Sequence, residues 1–305
     1  MRRRDFLRQS SASATFLSLS SLSLTSFVPE TDSRQITILH TNDVHSHIDA
    51  FGPESGRNSN KGGVARRASL IQSLREQNPN TLLLDAGDIF QGTPYFNYYG
   101  GELEFKLMSM LKYDLATIGN HDFDNGIEGL YKQLPHANFE FVSANYDFSK
   151  TVMNEHVKPY KIFKKNGIKI GVFGLGIELN GLVLKKQYKE TVYRDPIEIS
   201  QDMSRILKED EQCDLIICLS HLGHYYKKDP NKISDVVLAR ATKHIDLIIG
   251  GHTHTFLKKP IIEKNILGEN VLINQVGCYG LYMGKIDFFF DSNKSKKVRG
   301  TTILV

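Results

Sequence analysis

The chain contains no tryptophan, only three cysteines, and no apolar run long enough to cross a bilayer. A spanning helix needs ~20 consecutive apolar residues. The nearest candidate, "SASATFLSLSSLSLTSF" close to the N-terminus, is too short and too rich in serine. Three cysteines is an odd number and no C-x-x-C pair occurs, so the sequence indicates neither a disulfide framework nor a thiolate metal knuckle. Cys213 and Cys218 flank the apolar "CDLIIC" and read as buried core thiols. There is also no long basic stretch. The net charge of +4 is dispersed and gives no electrostatic footprint of a nucleic-acid binder. After residue 34 there is no internal repeat and no low-complexity linker.

What is present suits a folded globular protein. Apolar residues make up 40% and charged residues 24% of 305 residues, enough for one large domain or two small ones. The first residues, "MRRRDFLRQS", place Arg3 and Arg4 before Asp5, Phe6 and Leu7, ahead of the serine-rich apolar stretch. This resembles the twin-arginine export signal of bacteria. Residues 1–30 are expected to be that signal, delivering a folded protein to the periplasm with no stable membrane span once it is removed.

From residue 34 onward, strand-like and helix-like patterns alternate. "QITILH", "TLLLDAGD", "DLATIG", "FEFVSAN", "DLIICLSH" and "IDLIIGGH" read as strands. "GGVARRASLIQSLREQ", "ELEFKLMSMLKY", "PIEISQDMSRILKED" and "ISDVVLARATKH" read as helices. "YKIFKKNGIKIGVFGLG" predicts a hairpin turning at Asn166-Gly167. "NVLINQVG" and "GLYMGKIDFFFD" are expected to close the chain as a terminal meander. The alternation predicts an α/β fold with helix-covered sheets, one domain over residues 34–305.

Five of the predicted strands end in polar, metal-competent residues. "ITILH" runs into "TNDVHSH", "TLLLDAGD" ends on Asp88, "DLATIG" leads to "NHDFD", "IICLS" to "HLGH", and "IDLIIG" to "GHTH". The crevice beyond strand carboxyl ends is where α/β folds build their sites. Asp43, His45, Asp88, Asn120, His221, His252 and His254 offer nitrogen and oxygen without thiolate. That donor set suits borderline divalent metals such as zinc, manganese, iron, cobalt or nickel. Seven donors are too many for one ion. Two ions ~3.5–4 Å apart, sharing a carboxylate, account for them and fit in-line phosphoryl displacement with acidified water.

Taken with "GGVARRASLI", "LLLDAGDIFQGTP", "TIGNHDFDNG" and "GGHTH", these stretches resemble the calcineurin-type metallophosphoesterases. More closely, they are similar to the catalytic domain of bacterial periplasmic 5′-nucleotidases and UDP-sugar hydrolases, over about residues 35–290. The resemblance implies a four-layer αββα sandwich. It implies a first ion on Asp43, His45 and His254, a bridging Asp88, and a second ion on Asn120, His221 and His252. It also implies that His121 is the catalytic histidine, contacting phosphate and stabilising transition-state charge, with Asp124 orienting its ring. The ions would be manganese, zinc, iron or cobalt.

The expected reaction is hydrolysis of phosphate esters: nucleotides foremost, or the related 2′,3′-cyclic nucleotides and UDP-sugars. Two residues depart from the family pattern. Some close nucleotidases carry glutamine at the position of His254, and Asp122 stands where the family has glutamate. Asp122 is taken as structural. The family's second, nucleoside-binding domain has no counterpart before the chain stops at "TTILV", so base recognition is expected from a separately encoded C-terminal-domain partner, or else the substrate is not a nucleotide. A thiosulfohydrolase on the same fold and a catalytically idle metal-binding assembly module are the alternatives. His47 and His224 are expected beside the ligands rather than among them, and Arg66 and Arg67 on a solvated or salt-bridged helix face. "FDNG" is expected to form an Asx-type turn. The aromatic "PYFNYYGG" is open between core packing, a stacking surface and a docking face.

Overall fold

The computed structural model describes residues 34–305, which form one compact unit. The export signal expected over residues 1–30 lies outside the described residues. Among the described residues no helix is long and apolar enough to cross a membrane.

In chain order, strand β1 (Arg34–Thr41) leads to helix α1 (Val64–Gln77), β2 (Thr81–Asp85), α2 (Pro94–Tyr99), α3 (Glu102–Met110), β3 (Leu115–Ala116), α4 (Gly126–Gln133) and β4 (Glu140–Val142). Short strands β5 (Tyr146–Asp147) and β6 (Val157–Lys158) precede the hairpin of β7 (Tyr160–Lys165) and β8 (Ile168–Leu175). Then come α5 (Lys185–Tyr188), β9 (Val192–Tyr193), α6 (Pro196–Arg205), β10 (Leu215–Ser220), α7 (Asp235–Ala241) and β11 (Leu247–Gly250). The chain finishes with β12 (Ile261–Lys264), β13 (Asn270–Asn274), β14 (Tyr282–Phe290) and β15 (Lys296–Leu304).

Thirteen of these strands form two large sheets, ordered β15-β14-β1-β2-β3-β4-β6 and β12-β13-β11-β10-β8-β7, while β5 and β9 pair separately. The side chains show how the sheets stack. Successive strand residues point to opposite faces. Ile36, Ile38, Leu82 and Leu84 share one apolar cluster with Val172, Leu215, Ile217, Leu247 and Ile249 of the other sheet. Their neighbours Leu39 and Leu83 turn to a second cluster with Ile71 and Leu74 of α1 and Phe105 of α3. On the second sheet, Phe173, Ile216, Cys218 and Ile248 join Val236 and Leu238 of α7 in a third. Three apolar interfaces separate four layers, so the expected αββα sandwich is the observed fold.

The hairpin turn falls where the sequence places it. Asn166 and Gly167 both take positive φ, 48° and 72°, between paired Lys165 and Ile168, as a tight two-residue turn requires. Helix α6 starts on Pro196 with Asp195 as its cap, accepting from the amides of Ile197 and Glu198.

The terminal meander is not observed. β13 runs parallel to β11 in one sheet, whereas β14 lies antiparallel to β1 in the other and pairs with β15. Alternation identifies strands but carries no information on which sheet each one joins. The two segments are separated by residues 275–281, which cross from one sheet to the other. Cys213 and Cys218 are buried, unpaired thiols in the core, as expected.

Candidate metal centre

Strands β1, β2 and β3 are parallel neighbours in one sheet, and β10 and β11 are parallel neighbours in the other. Their carboxyl ends therefore lie along one edge of the sandwich. The donors follow directly. Asp43 and His45 come after β1, Asp88 after β2, Asn120 after β3, His221 after β10, and His252 and His254 after β11. Asp43, His45 and His254 bring one ligand atom each within 4.8 Å of one another, and Asp88, His221 and His252 do the same. The two groups adjoin. His45 Nε2 lies 3.7 Å from Asp88 Oδ2, and His221 Nε2 lies 3.9 Å from Asp43 Oδ1. Asn120 Oδ1 stands 2.8 Å from His252 Nδ1. All seven residues selected from the sequence are thus brought together.

The donor set fits a pair of cations. The Nδ1–H of His221 donates to the carbonyl of Ala86 at 2.7 Å, which leaves Nε2 with its lone pair. That nitrogen is fully buried, 3.0 Å from Asp88 Oδ2, and has no hydrogen-bond partner. A buried lone pair facing a buried carboxylate is costly unless positive charge lies between them. His45 and His254 repeat the pattern, their Nε2 atoms 3.0 Å apart while His45 Nδ1 faces the carbonyl of Phe90 at 3.2 Å. Protonation equilibria express the same demand. Burial alone would lower the His221 pKa, yet the charge of Asp88 raises it to about 10. Burial alone would raise Asp88, yet the imidazole charge of His221 holds it well below the usual carboxylate range. His254 is raised to about 10, first by its hydrogen bond to Asp43 and then by one to Cys278. Divalent cations meet that electrostatic demand without protons.

The loops carrying these donors are held in uncommon backbone geometry. Asp43, His45, Asp88, His252 and His254 have φ of 50°, 49°, 55°, 71° and 50°. Left-handed backbone at non-glycine residues costs on the order of 1 kcal/mol each and persists only where the surroundings enforce it. Here they do. The amides of Asp43, His45 and Ser46 donate to the carbonyls of Gly87, Asp88 and Ile89 at 2.9, 3.0 and 2.9 Å, fastening the first loop to the second. The buried carboxylate of Asp122 accepts from the amides of Asp88, Ile89, Phe90 and Gly119 at 3.1, 2.9, 3.1 and 2.8 Å. Asp122 is therefore the internal anchor of the second and third loops, in line with the structural role expected for it. The amide of His252 donates to Asp43 Oδ1 at 2.9 Å, tying the two sheets at the same point.

His121 sits at the rim, half-exposed, with Nδ1 3.0 Å from Asp124 Oδ2. Its pKa is raised, first by that hydrogen bond, against the opposing effect of burial, with Asp88 adding to the rise. Its amide donates to Asp88 Oδ1 at 2.8 Å, and its ring packs edge-on to His45 at 5.3 Å.

Other residues are placed as follows. His47 Nδ1 faces the carbonyl of His45 at 2.9 Å and His224 donates its amide to Thr253, so both flank the donor groups without joining them. Arg66 is exposed, as expected, but Arg67 is not: it is 5% exposed on the inner face of α1, and its Nε has no partner. It lines a cavity of about 20 Å³ with Glu104, Tyr113, Ser46 and His47, behind the loop that carries Asp43 and His45. The apolar positions Val64, Ile71 and Leu74 define that face correctly, but a charged residue at the intervening position reads as solvated from sequence. In "FDNG", Asn125 precedes α4 without a side-chain capping bond, and Asp124 serves His121 instead. "PYFNYYGG" becomes α2, with Phe96 in the core and Tyr98 and Tyr99 exposed. Tyr279 and Phe51, which stand beside the donors, were not singled out in the sequence. Each lies in an irregular loop with no periodicity to mark it.

Known proteins are similar to this chain in sequence and in fold. The sequence model of the calcineurin-like phosphoesterases matches residues 36–256. The chain is 34% identical over 292 residues to a snake venom 5′-nucleotidase of Crotalus adamanteus, covering 89% of this chain and 48% of the relative. It is 35% identical over 287 residues to a 5′-nucleotidase of Vibrio cholerae, covering 87% and 50%. Among solved structures, a 5′-nucleotidase precursor from Thermus thermophilus matches with a TM-score of 0.79 at 32% identity, over 89% of this chain and 55% of that one. The chain thus spans about half the length of these relatives.

Proposed function

Because the chain belongs to the calcineurin-like phosphoesterase family, we propose that it hydrolyses phosphate monoesters of nucleosides in a 5′-nucleotidase-type reaction. Cyclic nucleotides and UDP-sugars are the related substrates to screen. In this reading Asp43, His45 and His254 would hold one divalent cation, Asn120, His221 and His252 would hold a second, and Asp88 would serve as a ligand shared by the two groups. The nitrogen and oxygen donors suit manganese, zinc, iron or cobalt. When bound, such a pair supplies Lewis-acid polarisation of a phosphoryl group and acidifies water for attack.

The remaining chemistry belongs to the chain's own side chains. Asp124 accepts from His121 Nδ1 and raises the ring's pKa, which favours positive charge at the rim of the centre. That charge stabilises the transferring phosphoryl oxygens, and its Nε2 proton is available to the leaving alkoxide. The backbone link from His121 to Asp88 fixes the ring relative to the cation donors. Asp122 keeps the two loops in register and touches no substrate.

One observation carries the reading: a histidine–carboxylate dyad stands at the edge of two adjoining three-donor groups. A structural metal clasp has no use for such a dyad, which disfavours the idle assembly module. The thiosulfohydrolase alternative is not favoured either, since the three relatives above, each more than 30% identical, are named 5′-nucleotidases. A separate base-binding partner has no support among these relatives. Export by the twin-arginine route, with a periplasmic location, remains part of the proposal on the strength of Arg3 and Arg4.

The test is phosphate release by the purified chain, loaded with manganese or zinc, from AMP, UMP, 2′,3′-cyclic AMP, UDP-glucose and p-nitrophenyl phosphate. Turnover that is lost on chelation and restored by metal is expected. Metal-replete protein that releases nothing from any of them, yet cleaves an S-sulfonated thiol, would transfer the assignment to the sulfur ester.

A further inference from the structure

Resting on that reading, we propose that Arg67 and Glu104 are positioning residues: joined through one buried water, they hold the loop of Asp43 and His45 by way of Ser46, and so set the affinity of the first cation without that of the second. Both lie behind the loop rather than among the donors. Arg67 belongs to α1 and Glu104 to α3, and they are only 5% and 4% exposed. Arg67 Nε and Glu104 Oε2 are fully buried, and neither has a hydrogen-bond partner. The two residues line the same cavity of about 20 Å³. One water needs about 10–15 Å³ and two to four polar partners. An N–H that donates and a carboxylate oxygen that accepts are the pair it would join. A buried guanidinium and a buried carboxylate are each costly alone, and a shared water lets each compensate the other.

The link to the donors is short. The hydroxyl of Ser46 donates to Glu104 Oε1 at 2.5 Å, and the hydroxyl of Thr93 donates to the carbonyl of Ser46 at 3.0 Å. Ser46 and its neighbour His45 take φ of 57° and 49°. The left-handed region is normally visited by single residues, so two in succession persist only when held from outside. Arg67 supports the other flank of the loop. A Cβ on Gly280 would collide with Arg67 Nη1, so the guanidinium lies flush against the segment whose Tyr279 amide donates to the carbonyl of Asp43 at 2.7 Å. The second group has anchors of its own. Asp122 holds the amides of Asp88 and Ile89, and the carbonyl of Ala86 fixes the ring of His221. A disturbance at Glu104 therefore falls first on Asp43 and His45.

The experiment titrates the metal-free full chain with Co²⁺, followed by absorption and calorimetry, with His254→Ala marking the step that belongs to the first group. Metal uptake is the readout, not turnover. In Glu104→Leu the first-group step should weaken by about tenfold or more while the second stays within about twofold. Arg67→Met, and Ser46→Ala, which keeps both charges, should weaken the same step. The paired variant Arg67→Met with Glu104→Leu leaves no buried charge, so its urea midpoint should exceed that of Glu104→Leu alone. Its first-group affinity should stay low, because Ser46 still has no carboxylate to bond. A merely structural role predicts the opposite, an affinity that recovers together with stability. Equal weakening of both steps, no weakening in Ser46→Ala and Glu104→Leu, or recovery of affinity in the paired variant overturns the proposal and leaves the phosphoesterase reading intact. A wild type that takes up fewer than two ions overturns the metal centre of that reading, and this proposal with it.

Discussion

Acidification should unfold this protein partly through one core residue, His40. It lies on β1, fully buried, and its ring points into the space between the sheets. There its Nε2 accepts from the side-chain amide of Asn274 at 2.9 Å, and its Nδ1 has no partner. Its cross-strand neighbour is Gly284, where a Cβ would fall 1.9 Å from Nε2, so the glycine is what makes room for the ring. Burial lowers the His40 pKa from 6.5 to about 3. The sign follows from linkage. The folded state favours the neutral ring, and the unfolded chain takes up a proton below its own pKa. The stability is complete above 6.5 and is lost as pH falls from 6.5 towards 3. Each pH unit in that window costs about 1.4 kcal/mol, so a drop from about pH 7.5 to about pH 5 removes about 2 kcal/mol. In His40→Leu the orphaned Asn274 amide costs about 1–3 kcal/mol at every pH. That cost cancels when each protein is compared with itself. Urea unfolding of the chelated proteins at the two pH values should show the wild type losing about 2 kcal/mol more than His40→Leu. Equal losses would refute the argument, because they would mean that the folded protein protonates His40 as readily as the unfolded chain.

His121→Asn should lower kcat by about 10²–10⁴-fold with metal content unchanged, measured by steady-state kinetics and elemental analysis. Loss of metal in that variant would make His121 a ligand. Asp122→Ala strands the four amides its carboxylate accepts from and should cost about 3 kcal/mol or more, with weakened metal retention. Denaturant unfolding and metal titration together check this, and a neutral substitution would sink the anchor role. A thiol reagent on the native protein should modify Cys278 alone, since Cys213 and Cys218 are buried, and all three cysteines only after unfolding. Rapid modification of a second thiol in the native state would contradict the packing described.

The seven candidate donors are legible in the sequence because each follows a buried strand. Polar residues at the ends of apolar runs have no packing role, and parallel strands collect their ends on one edge. The hairpin at Asn166-Gly167 is legible because its turn chemistry is local. Arg67 is not, since helical spacing marks a face without stating whether a charge on that face is buried. The assignment of β13 and β14 to different sheets is not legible either, because hydrophobic alternation looks the same on both sides of a crossover. The ring cluster of Phe51, His47 and Tyr279 joins segments more than two hundred residues apart, and only the folded chain brings them into contact.

Asp43, His45, Asp88 and Asn120 issue from one sheet, and His221, His252 and His254 from the other. An ion pair seated among them would act as a rivet through two leaves that otherwise adhere chiefly by oily contact. Prising the leaves apart would then require ejecting both ions in the same event. Loading should therefore sharpen the unfolding transition as well as raise its midpoint, and a protein stripped of its ions should fray first along the edge where the donors gather.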